Sequence, residues 1–257
     1  MQTTRRDFIK NVGLAGVAAM SMPGILSAQN FNKLHSGGKN EKGLTFLFQG
    51  DSITDGNRTR DKDWNHIMGH GYACLIASRL WYDYPDKNLM FINRGVSGNR
   101  VRDLDARWQQ DTIDLQPDVI SILIGVNDVI ALVQNNDPEP IGKYEQIFNG
   151  LLDKTMTELP NSMLVLMEPF ILPLGWVNQK TEVWLKEIPA RQEVVKRSAQ
   201  KYGAVFVELQ KYFDVACKKA PAGYWIWDGV HPMPAGHELI ARRWINDVGK
   251  KLTFMDE

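Results

Sequence analysis

Five short runs of apolar, strand-favouring residues recur along the chain. They are Phe46-Leu-Phe-Gln-Gly50, Leu89-Met-Phe-Ile92, Val119-Ile-Ser-Ile-Leu-Ile124, Met163-Leu-Val-Leu-Met167 and Ala204-Val-Phe-Val207. Each is bounded by glycine, proline or a polar cluster, which marks strands rather than buried helix segments. Between them lie stretches with helical periodicity, expected over 71–81, 102–114, 141–158, 180–201, 209–219 and 235–250. Pro189 predicts a break or a new start within the fourth of these. The run 119–124 is the most apolar, as befits a central strand covered on both faces. Strands alternating with helices predict an α/β fold with a five-stranded parallel sheet wound on both faces. No internal repeat or second apolar block divides the chain, so residues 43–257 read as one domain.

Hydrophobic residues make up 44% and charged residues 23%, a globular composition. Lys+Arg and Asp+Glu are both 30, so no basic excess points to nucleic acid. Residues 1–28 begin Met-Gln-Thr-Thr-Arg5-Arg6-Asp-Phe-Ile-Lys10, continue through a short Gly/Ala-rich apolar stretch and close with small residues. That is the layout of an export signal. The paired arginines are twin-arginine-like, with a general secretory signal as the alternative. The apolar part is too short for a membrane span, and no cysteine follows it to carry a lipid. The expected location is therefore outside the cytoplasm of a bacterium, periplasmic or extracellular, without a stable membrane anchor. Residues 29–42 are polar and Gly-rich, a flexible lead-in. Cys74 and Cys217 form no metal-type pair; free thiols are expected, with pairing in an oxidising compartment as the alternative.

The strand ends carry the chemistry. The first stops at Gly50, and Asp51-Ser52 follows, exposing a small nucleophilic side chain on a turn. The second is followed by Asn93-Arg-Gly95-Val-Ser-Gly98-Asn99-Arg100, the third by Gly125-Val-Asn127-Asp128. A late loop holds Asp228-Gly-Val-His231. A parallel sheet gathers consecutive strand C-termini on one edge, where ligands bind. Acyl transfer needs a nucleophile, a base, an orienting acid and oxyanion donors. Ser52 suits the nucleophile, His231 the base and Asp228 the acid that holds the imidazole. The amides of Ser52 and Gly98 with the side-chain amide of Asn127 suit an oxyanion hole, Gly95 being the rival to Gly98. Asp51 and Asp128 read as braces of local backbone, Ser97 as a turn residue. His66 and His70 share an i, i+4 spacing but lack an acidic HExxH context, so no metal is expected.

Gly50-Asp51-Ser52, the Gly98 turn, Gly125-x-Asn127-Asp128 and Asp228-x-x-His231 resemble, in order, the four sequence blocks of the SGNH (GDSL-type) hydrolases, over residues 44 to 245. Isoleucine at 53 departs from the leucine of the family's first block without touching the serine. The resemblance implies a three-layer α/β/α, flavodoxin-like fold and ester or thioester hydrolysis without a cofactor. Gly-Asp-Ser-Ile-Thr-Asp-Gly-Asn-Arg, Asn-Arg-Gly-Val-Ser-Gly-Asn-Arg and Met-Glu-Pro-Phe look most like the bacterial carbohydrate acetylesterases. That implies an oligosaccharide or small ester as partner and removal of O-acetyl groups from xylan or other plant polysaccharide fragments. Arg58, Trp64, Trp176 and Trp225 are the candidates to line a sugar-sized cleft. A lysophospholipase or short-chain thioesterase with the same triad is the alternative, and a non-catalytic carbohydrate-binding module the third reading. Oligomeric state is not legible.

Overall fold

Side-chain alternation along the strands sorts the core into two layers. In the computed structural model, which describes residues 43–61 and 63–255, five strands form one all-parallel sheet. They are β1 (Thr45–Gly50), β2 (Met90–Asn93), β3 (Val119–Leu123), β4 (Met163–Met167) and β5 (Val205–Val207), in the order β2-β1-β3-β4-β5. Each predicted strand is present, with ends within a residue or two. The signal expected over 1–28 and the lead-in over 29–42 lie outside the described residues.

Phe46 and Phe48 of β1, Val119 and Leu123 of β3, and Val165 and Met167 of β4 point to one face. Helices α2 (Tyr72–Asp83) and α9 (Pro234–Gly249) pack there. Leu47, Ile120, Ile122, Leu164 and Leu166 point to the other face, under α3 (Val101–Asp111), α5 (Ile141–Glu158) and α6 (Thr181–Tyr202). The result is three layers, α/β/α, with the strand order of flavodoxin-like folds. Ser121, polar in the most apolar strand, accepts a hydrogen bond from Trp244 Nε1 of α9 at 2.8 Å. Trp108 Nε1 likewise donates to Thr155 Oγ1 at 2.9 Å, so two fully buried indoles keep their polar atom satisfied.

Three differences from the pattern-based reading have local causes. The stretch after Gly125 is not a loop but helix α4 (Val126–Gln134), whose Val126, Val129 and Val133 form an apolar stripe. Pro189 does not break α6: it is exposed, and Leu185, whose carbonyl loses its helical partner, also faces water. The segment 102–114 divides into α3 and a 3-10 turn at Ile113–Leu115. Two further short helices are α1 (Ser52–Asp55) and α8 (Ala222–Trp225), with α7 (Gln210–Ala216) between β5 and α8. Cys74 and Cys217 are free thiols, half-buried. Among the described residues no helix is long and apolar enough to cross a membrane.

Candidate active site

The chain leaves β1 toward β2 on one side and later crosses to β3 on the other, so β1 and β3 flank the switch point where open α/β sheets bind ligands. Gly50 and Leu123 are paired in register, so the residues after both strands emerge at the same level. A side chain at Gly50 would collide with Thr54 and with the carbonyl oxygen of Leu123, which requires glycine at that turn. The next residue, Asp51, caps α1, its Oδ1 accepting the amide of Ile53 at 3.0 Å. Ser52 is thus the first residue of a helix, where a backbone amide has no intrahelical acceptor.

Ser52 Oγ lies 2.8 Å from His231 Nε2, and His231 Nδ1 lies 2.6 Å from Asp228 Oδ2. Asp228 Oδ1 also accepts the amides of Val230 and His231, at 3.0 and 2.7 Å. The loop is closed by an antiparallel bridge between Ile226 and Pro232 and by the Trp227 amide donating to the His231 carbonyl at 3.1 Å. The bond from the Asp228 carboxylate raises the His231 pKa above its ordinary value, with burial working against it. Burial alone would raise Asp228, but the His231 ring and the two amides outweigh it and hold the carboxyl below its usual range. With Nδ1 as the donor to Asp228, Nε2 presents its lone pair to the serine hydroxyl.

The loop after β2 is tied to α1, the helix that begins at Ser52. Asn93 Nδ2 donates to the carbonyls of Thr54 and Met68, at 2.7 and 3.0 Å. Ser97 donates to Asp55 Oδ2 through both its amide (3.1 Å) and its hydroxyl (2.8 Å). Gly95 and Gly98 differ sharply. The Gly95 amide donates to Asn93 Oδ1 at 2.9 Å, its carbonyl accepts Arg58 Nε, and any side chain there would strike the backbone of Asp55. Gly98 is exposed, has open space around its α-carbon, and adopts φ +85°, a conformation that favours glycine. Asn127, in the first turn of α4, donates from Nδ2 to the Asn99 carbonyl at 3.1 Å, leaving its second amide hydrogen for another acceptor.

Two carboxyls beneath the site are buried. Burial lifts Asp51 to about 7 and Asp128 to about 6. His66 is paired with Asp63 at 2.6 Å in the loop before α2. Among the described residues no group of three or more His, Cys, Asp or Glu is arranged to hold a metal ion.

The four residues expected to line a cleft are placed differently from one another. Arg58 is buried, donating to the Gly95 carbonyl at 3.0 Å, so it braces the loop after β2. Trp225 is half-buried, its Nε1 donating to Ala220 and its ring set edge-on against Tyr224. Trp64 and Trp176 are each 41% exposed, and the Trp176 amide donates to the Asp228 carbonyl at 2.9 Å. Trp227 also falls near a polar loop in the sequence, where an amphipathic ring can serve a binding cleft. It is 61% exposed, and its ring lies over His231 at 6.2 Å between centroids and 26° between planes. Its position beside Asp228 was the available signal.

A flavodoxin-like sheet with serine, histidine and aspartate in one hydrogen-bonded row at its carboxyl edge is the architecture of the SGNH hydrolases. The chain belongs to the GDSL-like Lipase/Acylhydrolase family, whose profile matches residues 48–239, and it is a carboxylic ester hydrolase. It is 32% identical over 214 residues to the acetylxylan esterase of Geobacillus stearothermophilus, covering 80% of this chain and 94% of that protein. Among solved structures, a protein from Parabacteroides merdae described as a GDSL-like lipase superposes with a TM-score of 0.77 at 37% identity, covering 81% of this chain and 97% of that one. Axe2, an acetylxylan esterase from G. stearothermophilus, gives 0.72 at 32% identity, covering 81% and 95%. Two Axe2 structures are of catalytic mutants, one replacing a serine and one an aspartate with alanine.

Proposed function

We propose that the enzyme is an exported serine esterase that removes O-acetyl groups from carbohydrates such as xylan fragments. The observation that carries this reading is the row from Ser52 Oγ through the His231 imidazole to Asp228, with spacings of 2.8 and 2.6 Å. Ser52 Oγ attacks the acetyl carbonyl carbon while its proton passes to His231 Nε2. Asp228 stabilises the imidazolium without taking the proton. The amides of Ser52 and Gly98 and the free hydrogen of Asn127 Nδ2 donate to the oxyanion. Collapse of the tetrahedral adduct breaks the ester C–O bond, and the sugar oxygen leaves with the proton from His231. Water, deprotonated by the same imidazole, then releases acetate and regenerates Ser52. The likeness to an acetylxylan esterase supports an acetyl group on a sugar, and the exposed rings of Trp176 and Trp227 beside the Asp228–His231 loop are suited to stack on a pyranose face. Residues 1–28 supply the export signal.

The test is acetate release from acetylated xylan and acetylated rhamnogalacturonan beside long-chain esters and lysolipid, with Ser52→Ala as the control. The wild type is expected to prefer acetylated glycans, and Ser52→Ala to lose about 10⁴-fold or more in kcat. Preference for long acyl chains overturns the carbohydrate reading in favour of the lysophospholipase alternative. Wild type and Ser52→Ala equally inactive on every ester would overturn the serine-esterase reading.

A further inference from the structure

Arg107, on α3, takes no part in the steps above, yet its guanidinium joins three segments that must keep register for them. Its Nε donates to Asn99 Oδ1 at 2.9 Å. Its Nη1 donates to Asp111 Oδ2, one helical turn on, also at 2.9 Å. Its Nη2 reaches the Gly50 carbonyl at 3.5 Å. Gly50 ends the strand that delivers Ser52, and its carbonyl also accepts the Val96 amide at 3.1 Å. Asn99 follows Gly98 and offers its own carbonyl to Asn127 Nδ2. Asn99 is therefore gripped from both sides, its side chain by Arg107 and its backbone by Asn127. On the far side of Gly98, Ser97 is pinned by Asp55. Gly98 itself has open surroundings and a backbone conformation that glycine leaves soft. Its orientation thus depends on the anchors at 97 and 99.

We propose that Arg107 is a positioning residue for the oxyanion hole: through Asn99 it aims the Gly98 amide and the Asn127 side-chain amide at the oxygen of the acyl carbonyl whose carbon Ser52 Oγ attacks. The proposal rests on the oxyanion assignment given above. Arginine suits the role because its planar fork donates along three directions at fixed angles, which a lysine ammonium cannot reproduce. Oxyanion donors act only if they meet the oxygen as charge develops, so a tilt of the loop lowers kcat and leaves ground-state binding nearly unchanged.

The experiment measures kcat and KM on p-nitrophenyl acetate and on acetylated xylo-oligosaccharides for Arg107→Ala, Arg107→Lys, Asn99→Ala and the Arg107→Ala/Asn99→Ala double variant, with melting temperatures alongside. Arg107→Ala is expected to lower kcat about 10- to 100-fold, the range for misaligned rather than deleted donors. KM stays within about twofold, and the pH midpoint of kcat/KM does not move because the Asp228–His231 pair is intact. Asn99→Ala keeps the backbone carbonyl for Asn127 but removes the acceptor for Arg107, so it shows a comparable loss. The double variant falls no further than the worse single one, because both delete the same bond. Added guanidinium restores part of the Arg107→Ala rate. Arg107→Lys keeps the charge opposite Asp111 and a melting temperature near wild type, yet loses rate; this separates aiming from folding. Unchanged kcat in Arg107→Lys, or independent multiplication of the two alanine effects, overturns the proposal. Full activity in Ser52→Ala would instead overturn the serine-esterase reading beneath it, a result read from a variant in which Arg107 is untouched.

Discussion

The Ser52 side and the His231 side of the site are held by different means. Around Ser52, the ties run between distant parts of the chain: Asn93 from β2 holds the carbonyls of Thr54 and Met68, and Asp55 holds Ser97. Asn93 and Asp55, which make these ties, are buried. Around His231, by contrast, the ties are local. Asp228 takes its three bonds from Val230 and His231 within its own turn, and the Ile226–Pro232 bridge closes the loop. This turn projects Trp227 into solvent and rests on the loop after β4 through the Trp176 amide. Ser52 is therefore placed by the fold, and His231 by a small self-contained turn docked on it. Substitutions on the first side should register in stability, those on the second in rate.

The largest effect expected from breaking that contrast is in Asp228→Asn. The asparagine oxygen can still accept the Val230 and His231 amides, so the turn and the melting temperature should survive. Its NH₂ group cannot accept from His231 Nδ1, which favours the wrong tautomer, and kcat is expected to fall on the order of 10⁴-fold. Matched ester assays and calorimetry check both halves. A variant that unfolds while its residual rate per folded molecule stays high would contradict a self-contained base turn.

Asn93→Ala tests the other side. It removes the donor to Thr54 and Met68 and the acceptor for the Gly95 amide, leaving buried backbone groups unsatisfied. A loss of about 2–4 kcal/mol is expected in urea unfolding. A stability change under about 0.5 kcal/mol would show that the nucleophile turn does not lean on β2.

The smallest effect is in pH dependence, where two histidines titrate in opposite directions. His237 Nδ1 accepts the Tyr72 amide at 3.2 Å at the start of α2, and burial lowers its pKa from 6.5 to about 4. The unfolded chain binds that proton more readily, so this contribution is complete above pH 6.5 and is lost as pH falls toward 4, on the order of 3 kcal/mol at most. His231, raised by Asp228, contributes below pH 6.5 and loses that contribution as pH rises through its folded value. The proposed mechanism needs His231 neutral, so the rising limb of kcat/KM should lie above pH 6.5. Between pH 7 and 4 the wild type should lose more stability than His237→Gln, which has no imidazole to protonate; parallel curves would remove His237 from the account.

Much of this was legible beforehand. The five apolar runs marked the strands to within a residue or two, because a parallel sheet buried on both faces demands continuous apolar sequence. The Gly-Asp-Ser, Gly-x-Asn-Asp and Asp-x-x-His blocks marked the residues that now meet at the carboxyl edge. Helix α4 was missed because Asn127 and Asp128 in its first turn read as loop residues, although the valine spacing at 126, 129 and 133 is helical. Arg58 reads as a polar loop residue, but only folding shows that it turns inward to Gly95. Trp225 and Trp227 are indistinguishable by type and lie two positions apart, yet one packs on Tyr224 and the other covers His231.

What the chain determined by itself was local: which segments extend, which coil, and which polar residues follow a strand, since these depend on neighbours in sequence and on the geometry of peptide and side chain. What only the tertiary structure decided was which of two glycines stays open, which tryptophan flanks the base, and that Arg107 binds the end of β1 to the loop bearing Gly98. The glycine and the arginine depend on contacts between segments tens of residues apart, such as the 57 positions separating Arg107 from Gly50, and such contacts leave no periodicity in the sequence to read.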